Sequence, residues 1–107
     1  MIIQNQFNIF GILMRLISVK QSDRPNKKYM ALFENKHEFR LVYFGAAGYT
    51  DYTMTNDDEK KRLYLLRHRK NENWNDPISA GSLSRWLLWN KPTLKESISD
   101  FKKRFNL

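Results

Sequence analysis

Cationic side chains recur in this chain at positions where they could bind phosphate groups. The run RHRK occupies residues 67–70, and Lys60 precedes it within the same predicted helix. Lysine and arginine bind phosphates by displacing counterions, so such binding weakens steeply as salt rises. The predicted nucleic-acid-binding residues are Lys60, Arg67, Arg69, Lys70, Arg85, Trp89, Lys102, Lys103 and Arg104. The alternative for residues 67–70 is that cations at a helix C-terminus only complement the helix dipole.

An arginine and a tryptophan four residues apart form a second candidate for nucleic-acid binding. Arg85 and Trp89 fall on one side of a predicted helix, a spacing that allows a stack between guanidinium and indole. An accessible indole would also offer an unpaired base a flat surface, worth about 1–3 kcal/mol per stacked base. The alternative is that Trp89 belongs to the core, since large aromatic side chains dominate small cores.

The stretch YFGAAGYTDYT, residues 43–53, raises the question of a ligand-binding loop. It lacks the lysine of a P-loop and the third glycine of a dinucleotide-binding motif. Glycine tolerates positive φ, so the two glycines predict a chain reversal after a strand, with both tyrosines folded back on the sheet. Five residues are candidates either for a structural corner or for the lining of a pocket: Gly45, Gly48, Tyr49, Asp51 and Tyr52.

Catalysis and metal binding find little support in the sequence. Asp51 and His68 could form an acid/base pair, but nothing in their spacing requires them to meet. The chain has no cysteine and only two histidines, which excludes thiolate sites and a zinc site built on histidines alone. Because no cluster of carboxylates suggests a metal-dependent nuclease, we predict that the protein is not an enzyme, with no catalytic residue, metal or cofactor.

Composition and charge favour one basic domain. The 107 residues carry 19 Lys and Arg against 11 Asp and Glu, a formal charge of +8, which favours a polyanionic partner.

Residues 1–13 are apolar but interrupted by Gln and Asn and lack a basic leader, so we expect neither a membrane span nor a signal peptide. We predict an N-terminal extension at 1–13 and a single domain at 14–107. The β-prone extension suggests an added edge strand and a homodimer through it.

The elements that would position these groups follow from hydrophobic period and turn signals. Three strand-like segments at 16–20, 29–34 and 39–44 are separated by polar turns with hairpin spacing. Helices are expected from Asn56 or Asp57 to about residue 70, from Ser79 or Ser82 to Pro92, and from a capping box of Thr93 and Glu96 onward. The predicted class is α+β, with an antiparallel sheet of three to four strands followed by three helices on one face.

The motif order resembles that of a known family. FGAAGYTDYT, then RH at 67–68, ENW at 72–74 and SRWLLWNKPTLKESI at 84–98 resemble small uncharacterised proteins encoded by giant and other large DNA viruses and by some algae. The resemblance covers about residues 28–106, and it implies a compact domain inside infected cells or virions. It supplies no catalytic residue.

These observations lead to one expected function and one alternative. We expect a non-enzymatic basic protein that binds DNA or RNA mainly through phosphate contacts, located in the host cytoplasm or nucleus or in the virion, and not in a membrane. The alternative is a protein-interaction or virion-structural module, such as a minor capsid or core component.

Overall fold

The structure, a computed structural model, describes residues 14–107, in which a sheet is followed by helices. The elements in chain order are β1 (Arg15–Gln21), β2 (Lys27–Glu34), β3 (Phe39–Ala46), α1 (Tyr52–Thr55), α2 (Asp58–His68), α3 (Ala80–Leu83), continued by a π-helical turn (Ser84–Leu88), and α4 (Leu94–Phe105). The predicted α+β class is confirmed, with a three-stranded antiparallel sheet. The predicted fourth strand and the homodimer through the extension concern residues 1–13, which lie outside the described residues.

The sheet has the strand order β1-β2-β3, and its alternating pattern collects large apolar side chains on one face. Leu16 lies opposite Phe33, and Tyr29 lies opposite Phe44. Successive side chains of a strand point to opposite faces, so this register places all four residues on the same side. A bulge between Leu16 and Ser18 shifts the pairing of β1, and such a bulge bends the strand locally.

The helical half of the chain packs on that face and completes the core. The buried cluster consists of Met14, Leu16, Ala31, Phe33, Phe44, Leu83, Leu87, Leu88, Phe101 and Phe105. Burial of a large apolar side chain stabilises the fold by about 1.5–3 kcal/mol. The spacing of Phe101 and Phe105 on α4 turns both toward the core, while Lys102 and Lys103 between them remain exposed.

Side-chain caps set the starts of the three main helical segments. Asp57 caps α2 by accepting from the backbone N–H groups of Glu59 and Lys60. Ser79, the first of the two predicted serines, caps α3, and Thr93 caps α4 by accepting from Glu96 N at 3.1 Å. Each cap satisfies backbone donors that have no partner inside the helix.

Three local features differ from the predicted elements. A short helix, α1, precedes α2; Asp51 caps it, and Asn56 ends it with a positive φ of 53°. Four helical residues are too few to show a helical period in sequence. The second predicted helix changes to a π-helical turn, in which Trp89 N donates to Ser84 O. In addition, α2 ends at His68, two residues before the predicted end.

Candidate functional site

A pocket of about 640 Å³ lies where the end of the sheet meets the helical layer. Its lining comes from the corner at residues 44–51, from one face of α2, and from residues 80–89, with further side chains from the start of β2 and the loop after α2. Its volume is within the range of about 300–1,000 Å³ that is typical of small-molecule sites. Separate stretches of the chain therefore converge on one concave surface.

One stripe of α2 faces this pocket. The lining residues of the helix are Lys60, Leu63, Tyr64, Arg67 and His68. Their spacing of three, four, seven and eight residues is that of a single helical face. Two of the predicted cations, Lys60 and Arg67, thus reach the pocket from the same side of α2, together with two aromatic rings.

The glycines of the corner are required by the backbone and by close packing. Gly45 and Gly48 have φ values of +79° and +88°, a region that side-chain-bearing residues rarely adopt. At Gly45 an added Cβ would also lie 2.8 Å from Leu88 Cδ1, which is closer than real Cβ contacts. The corner therefore brings the end of β3 directly against the π-helical turn.

Asp51 is a structural acid at the base of the corner. It is 2% exposed, and its Oδ2 forms an ion pair with Lys28 Nζ. Its Oδ1 accepts from the Thr53 backbone N–H at 2.9 Å and also from the Thr53 hydroxyl. Both oxygens are occupied, and the carboxylate ties α1 to the sheet. Asp51 and His68 line the same pocket, but each has a different partner.

The two tyrosines of the corner lie in different environments. Tyr52 is buried, and its hydroxyl donates to Asp58 Oδ1 at 2.7 Å, a hydrogen bond that raises the pKa of Tyr52. Lys61 Nζ lies 4.7 Å from the centre of the Tyr52 ring. Tyr49 instead is 72% exposed at the edge of the pocket, so only Tyr52 folds inward.

Four side chains form what we call the packed wall of the pocket: Tyr64, His68, Glu72 and Trp89. The Tyr64 ring is stacked between Trp89, with centroids 4.4 Å apart, and His68, at 4.2 Å. His68 Nδ1 lies 3.1 Å from Glu72 Oε2, and Trp74 Nε1 donates to Glu72 Oε1 at 2.8 Å. Burial raises the pKa of Tyr64 well above its usual value. Mutual contacts thus hold every member of this wall.

Three other lining residues, Tyr49, Lys60 and Arg67, form what we call the open rim. All three are exposed. Their side chains make no hydrogen bond, ion pair or ring contact with any residue of the described chain. Lys27 also lines the pocket, and its side chain likewise has no such contact within residues 14–107. The groups of the open rim, together with Lys27, are therefore free to meet a ligand.

Arg85 lies behind the packed wall and is part of an aromatic cluster. Its guanidinium carbon is 4.1 Å from the Trp86 ring centre and 5.5 Å from that of Trp74. Its Nη1 donates to the Trp89 carbonyl at 2.8 Å, in place of a stack on the Trp89 indole. Burial, followed by the nearby Arg104 charge, lowers the pKa of Arg85. This arginine stabilises the helical layer.

The remaining predicted cations lie away from the pocket. Arg69 and Lys70 are exposed just beyond the end of α2, and Lys102 and Lys103 are exposed on α4. Arg104 lies 3.9 Å from the Trp86 ring centre and pairs with Asp100 at 3.5 Å. The predicted nucleic-acid-binding residues therefore lie in four places: the pocket lining, the segment just after α2, the interior of the helical layer, and α4.

Several lining residues were not predicted from the sequence. Glu72, Tyr64 and the pair Lys27 and Lys28 were not among the predicted site residues, although all line the pocket. The four-residue spacing of Tyr64 and His68 was a usable signal, because residues four apart meet on a helical surface. Glu72 lies beyond the end of that helix, so the helical period did not place it. No comparable local signal links Lys28 to Asp51, which are 23 positions apart.

Over residues 14–107, there is no group of three or more His, Asp or Glu side chains that could hold a metal ion. In the same part of the chain, each helix is too short or too polar to span a bilayer.

Comparison with known proteins gives one family match. Residues 17–68 match a family of unknown function (DUF5754). No curated protein and no solved structure matches the chain. The match supports the predicted resemblance to uncharacterised proteins, although it begins before residue 28 and ends at the last residue of α2. It includes the whole open rim, while Glu72 and Trp89 of the packed wall lie beyond it.

Proposed function

We propose that this protein is a non-enzymatic nucleic-acid-binding protein that holds its partner mainly through phosphate contacts. The observation that carries the proposal is the open rim, where Lys60 and Arg67 line a concave surface without a carboxylate partner in the described structure. A cation already paired with an acid must lose that pair before it can bind phosphate. Cations without such partners bind phosphate at a lower cost, and the net charge of +8 attracts the polyanion.

The charges around the pocket support this proposal further. Four cationic side chains line it, from Lys27, Lys28, Lys60 and Arg67, against the two carboxylates of Asp51 and Glu72. The Asp51 carboxylate is neutralised by Lys28, and Glu72 accepts from the Trp74 indole. Once Asp51 and Lys28 cancel, Lys27, Lys60 and Arg67 still outnumber the single carboxylate of Glu72, so the net charge of the lining attracts a phosphate. Arg69 and Lys70 do not line the pocket, but they are exposed just beyond the end of α2 and add to the positive charge of the chain.

The biological setting is part of the proposal. The motif order described for residues 43–98 favours a protein of a large DNA virus, acting in the cytoplasm or nucleus of the infected cell or carried in the virion.

The proposal is tested by binding to labelled DNA and RNA, followed by fluorescence anisotropy at several salt concentrations. We expect the logarithm of the binding constant to fall linearly with the logarithm of the salt concentration. Replacing Lys60 and Arg67 together by alanine should weaken binding at least about tenfold and reduce the salt slope by about two, one for each lost phosphate contact.

The matched control is the double variant Lys102→Ala/Lys103→Ala, which removes the same charge from exposed positions on α4. Its effect should be smaller, because these lysines lie outside the pocket. Equal losses in the two double variants would show that net charge alone drives binding. Absence of binding by the wild-type protein at low salt would refute the proposed function.

A protein-interaction or virion-structural role is the second candidate, and the outer face of the sheet favours it. Leu41 and Phe39 of β3 are 46% and 71% exposed on this face, and Ile17, at the bulge of β1, is 48% exposed. Exposed apolar groups on one face are typical of interaction surfaces. Deleting residues 1–13 tests the associated homodimer: a drop in size measured by light scattering, with nucleic-acid affinity retained, would favour assembly.

A further inference from the structure

The corner carries an aromatic ring with no role in the fold. Tyr49 is 72% exposed, and the described part of the chain offers it no ring partner, hydrogen bond or ion pair. It follows Gly48, whose φ of +88° fixes the turn that presents it at the edge of the pocket. Many exposed aromatic rings are isolated on the protein surface and need no explanation. Tyr49 instead lies at the edge of the pocket.

The cations of the open rim lie on the same pocket as this ring. Lys60 and Arg67 reach it from α2, seven residues apart on one helical face. Aromatic faces bind nucleobases by stacking, and lysine or arginine binds the adjoining phosphate. Trp89, the aromatic residue singled out from the sequence, has one face occupied by Tyr64 at 4.4 Å. Tyr49 is thus the lining ring that is free on the described structure.

The volume of the site and the exposed face of Tyr49 fit an unpaired nucleotide. The volume of about 640 Å³ suits a ligand the size of one nucleotide. In a duplex, base faces are covered by their stacked neighbours, and only base edges are accessible in the grooves. A ring such as Tyr49 can contact a base face only when the base is unpaired or has left its stack.

We propose that the pocket binds one unpaired nucleotide, with its base stacked on Tyr49 and its phosphate held by Lys60 and Arg67. This inference rests on the proposed nucleic-acid binding and assigns its ligand class, a nucleotide with a free base face. The nucleotide can belong to a single strand or be a free nucleoside monophosphate, and these two sources share the same chemistry.

The first experiment compares Tyr49→Ala with Phe39→Ala, since Phe39 is an aromatic residue of nearly equal exposure, 71%, that does not line the pocket. Affinities for a single-stranded oligonucleotide and for a duplex of equal length are measured by anisotropy at one salt concentration. Tyr49→Ala should weaken single-strand binding about 5- to 150-fold and leave duplex binding unchanged. Phe39→Ala should change neither, and Tyr49→Trp should preserve the single-strand affinity.

A loss of single-strand affinity in Tyr49→Ala, with unchanged duplex affinity, would support the inference. Equal effects of Tyr49→Ala on both forms, or no effect on either, would overturn it while the proposed phosphate binding stands. If the wild-type protein binds neither form at low salt, the proposed function fails, and this inference fails with it.

The second experiment distinguishes the two nucleotide sources by NMR. Nucleoside monophosphates and inorganic phosphate are titrated into isotope-labelled protein, and the amide signals of Gly45, Gly48 and Tyr49 are followed. Saturable shifts with a nucleoside monophosphate show that the free ligand is sufficient, and shifts with single strands alone assign the site to polymers; either result supports the inference. Equal shifts with inorganic phosphate would show an anion site that does not use the ring, and would overturn it.

Discussion

The open rim and the packed wall border the same pocket, but their side chains are used differently. Tyr64 and His68 of the packed wall are stacked, and Glu72 has partners for both carboxylate oxygens. Lys60 and Arg67, on the same helix as Tyr64, have no comparable contact in the described chain. Residue type alone therefore does not tell whether an aromatic or charged group stabilises the fold or is available to a ligand.

The same contrast separates two arginines of the predicted site. Arg85 is held among Trp74, Trp86 and the Trp89 carbonyl, whereas Arg67 points its charge at the edge of the pocket without a partner in the described region. The comparison predicts that substitutions in the packed wall and at Asp51 affect stability, and that substitutions in the open rim affect binding only.

The largest expected effect on stability is that of Tyr64→Ala. The ring is 8% exposed and is stacked on both sides, so its removal leaves a cavity and should lower the free energy of unfolding by about 3–5 kcal/mol. Tyr64→Phe is the matched control, because the hydroxyl has no hydrogen-bond partner within residues 14–107, and should cost less than about 0.5 kcal/mol. Urea denaturation measures both. A small loss for the alanine variant would contradict the packed-wall assignment.

The next largest effect is expected for Asp51→Ala. Loss of the helix cap costs about 1 kcal/mol, and leaving the Lys28 ammonium without its partner adds about 1–3 kcal/mol. Asp51→Asn keeps an acceptor for the Thr53 N–H and should recover the cap contribution only. Urea denaturation of the three proteins separates the two terms. If both variants are as stable as wild type, the carboxylate does not hold the corner.

Alkaline pH should produce an intermediate effect through Tyr64. Burial raises the pKa of this phenol above its unfolded value near 10. Above pH 10 the unfolded chain therefore loses the proton more readily than the folded one, and stability falls by about 1.4 kcal/mol per pH unit until the folded pKa is reached. Thermal or urea unfolding between pH 8 and about 11 should show a steeper decline for wild type than for Tyr64→Phe. Parallel curves would argue against burial of the phenol.

The smallest expected effect on stability is that of the double variant Lys60→Ala/Arg67→Ala. Because both side chains are exposed and unpaired in the described structure, unfolding free energy should change by less than about 0.5 kcal/mol. Circular dichroism and urea denaturation on the same preparation used for binding provide the check. A loss of several kcal/mol would assign a structural role to the open rim and would remove the contrast with the packed wall.

Much of the fold could be predicted because its signals are local. Polar turns separate the strands, and the cap residues Asp57 and Thr93 immediately precede the helices α2 and α4. Patterns of period 2 and 3.6 extend over only a few residues, so a single sequence reveals them. The short α1 and the π-helical turn were not predicted, because tertiary contacts around Asp51 and Gly45 determine those backbone conformations.

The candidate site could be predicted only in part, because its lining comes from residues distant in sequence. Lys60 and Arg67 were predicted to lie on the same helix, and α2 places both on the pocket. Nothing local shows that Arg85 is enclosed by tryptophans or that Tyr49 is left free. The helical pattern gives the direction of a side chain relative to its own helix; which other element it meets depends on the folded chain.

The position of α2 has a consequence for how this chain can be divided. The family match ends at His68, yet Lys61 Nζ donates to the Asn90 carbonyl at 2.7 Å, and Tyr64 stacks on Trp89. The sheet residues Phe33 and Phe44 share their core with residues 83–105. We therefore expect that residues 17–68 do not fold on their own. A fragment cut after α2 would expose the inner face of the sheet, and any transplant of the open rim to another protein must include the helical half that supports it.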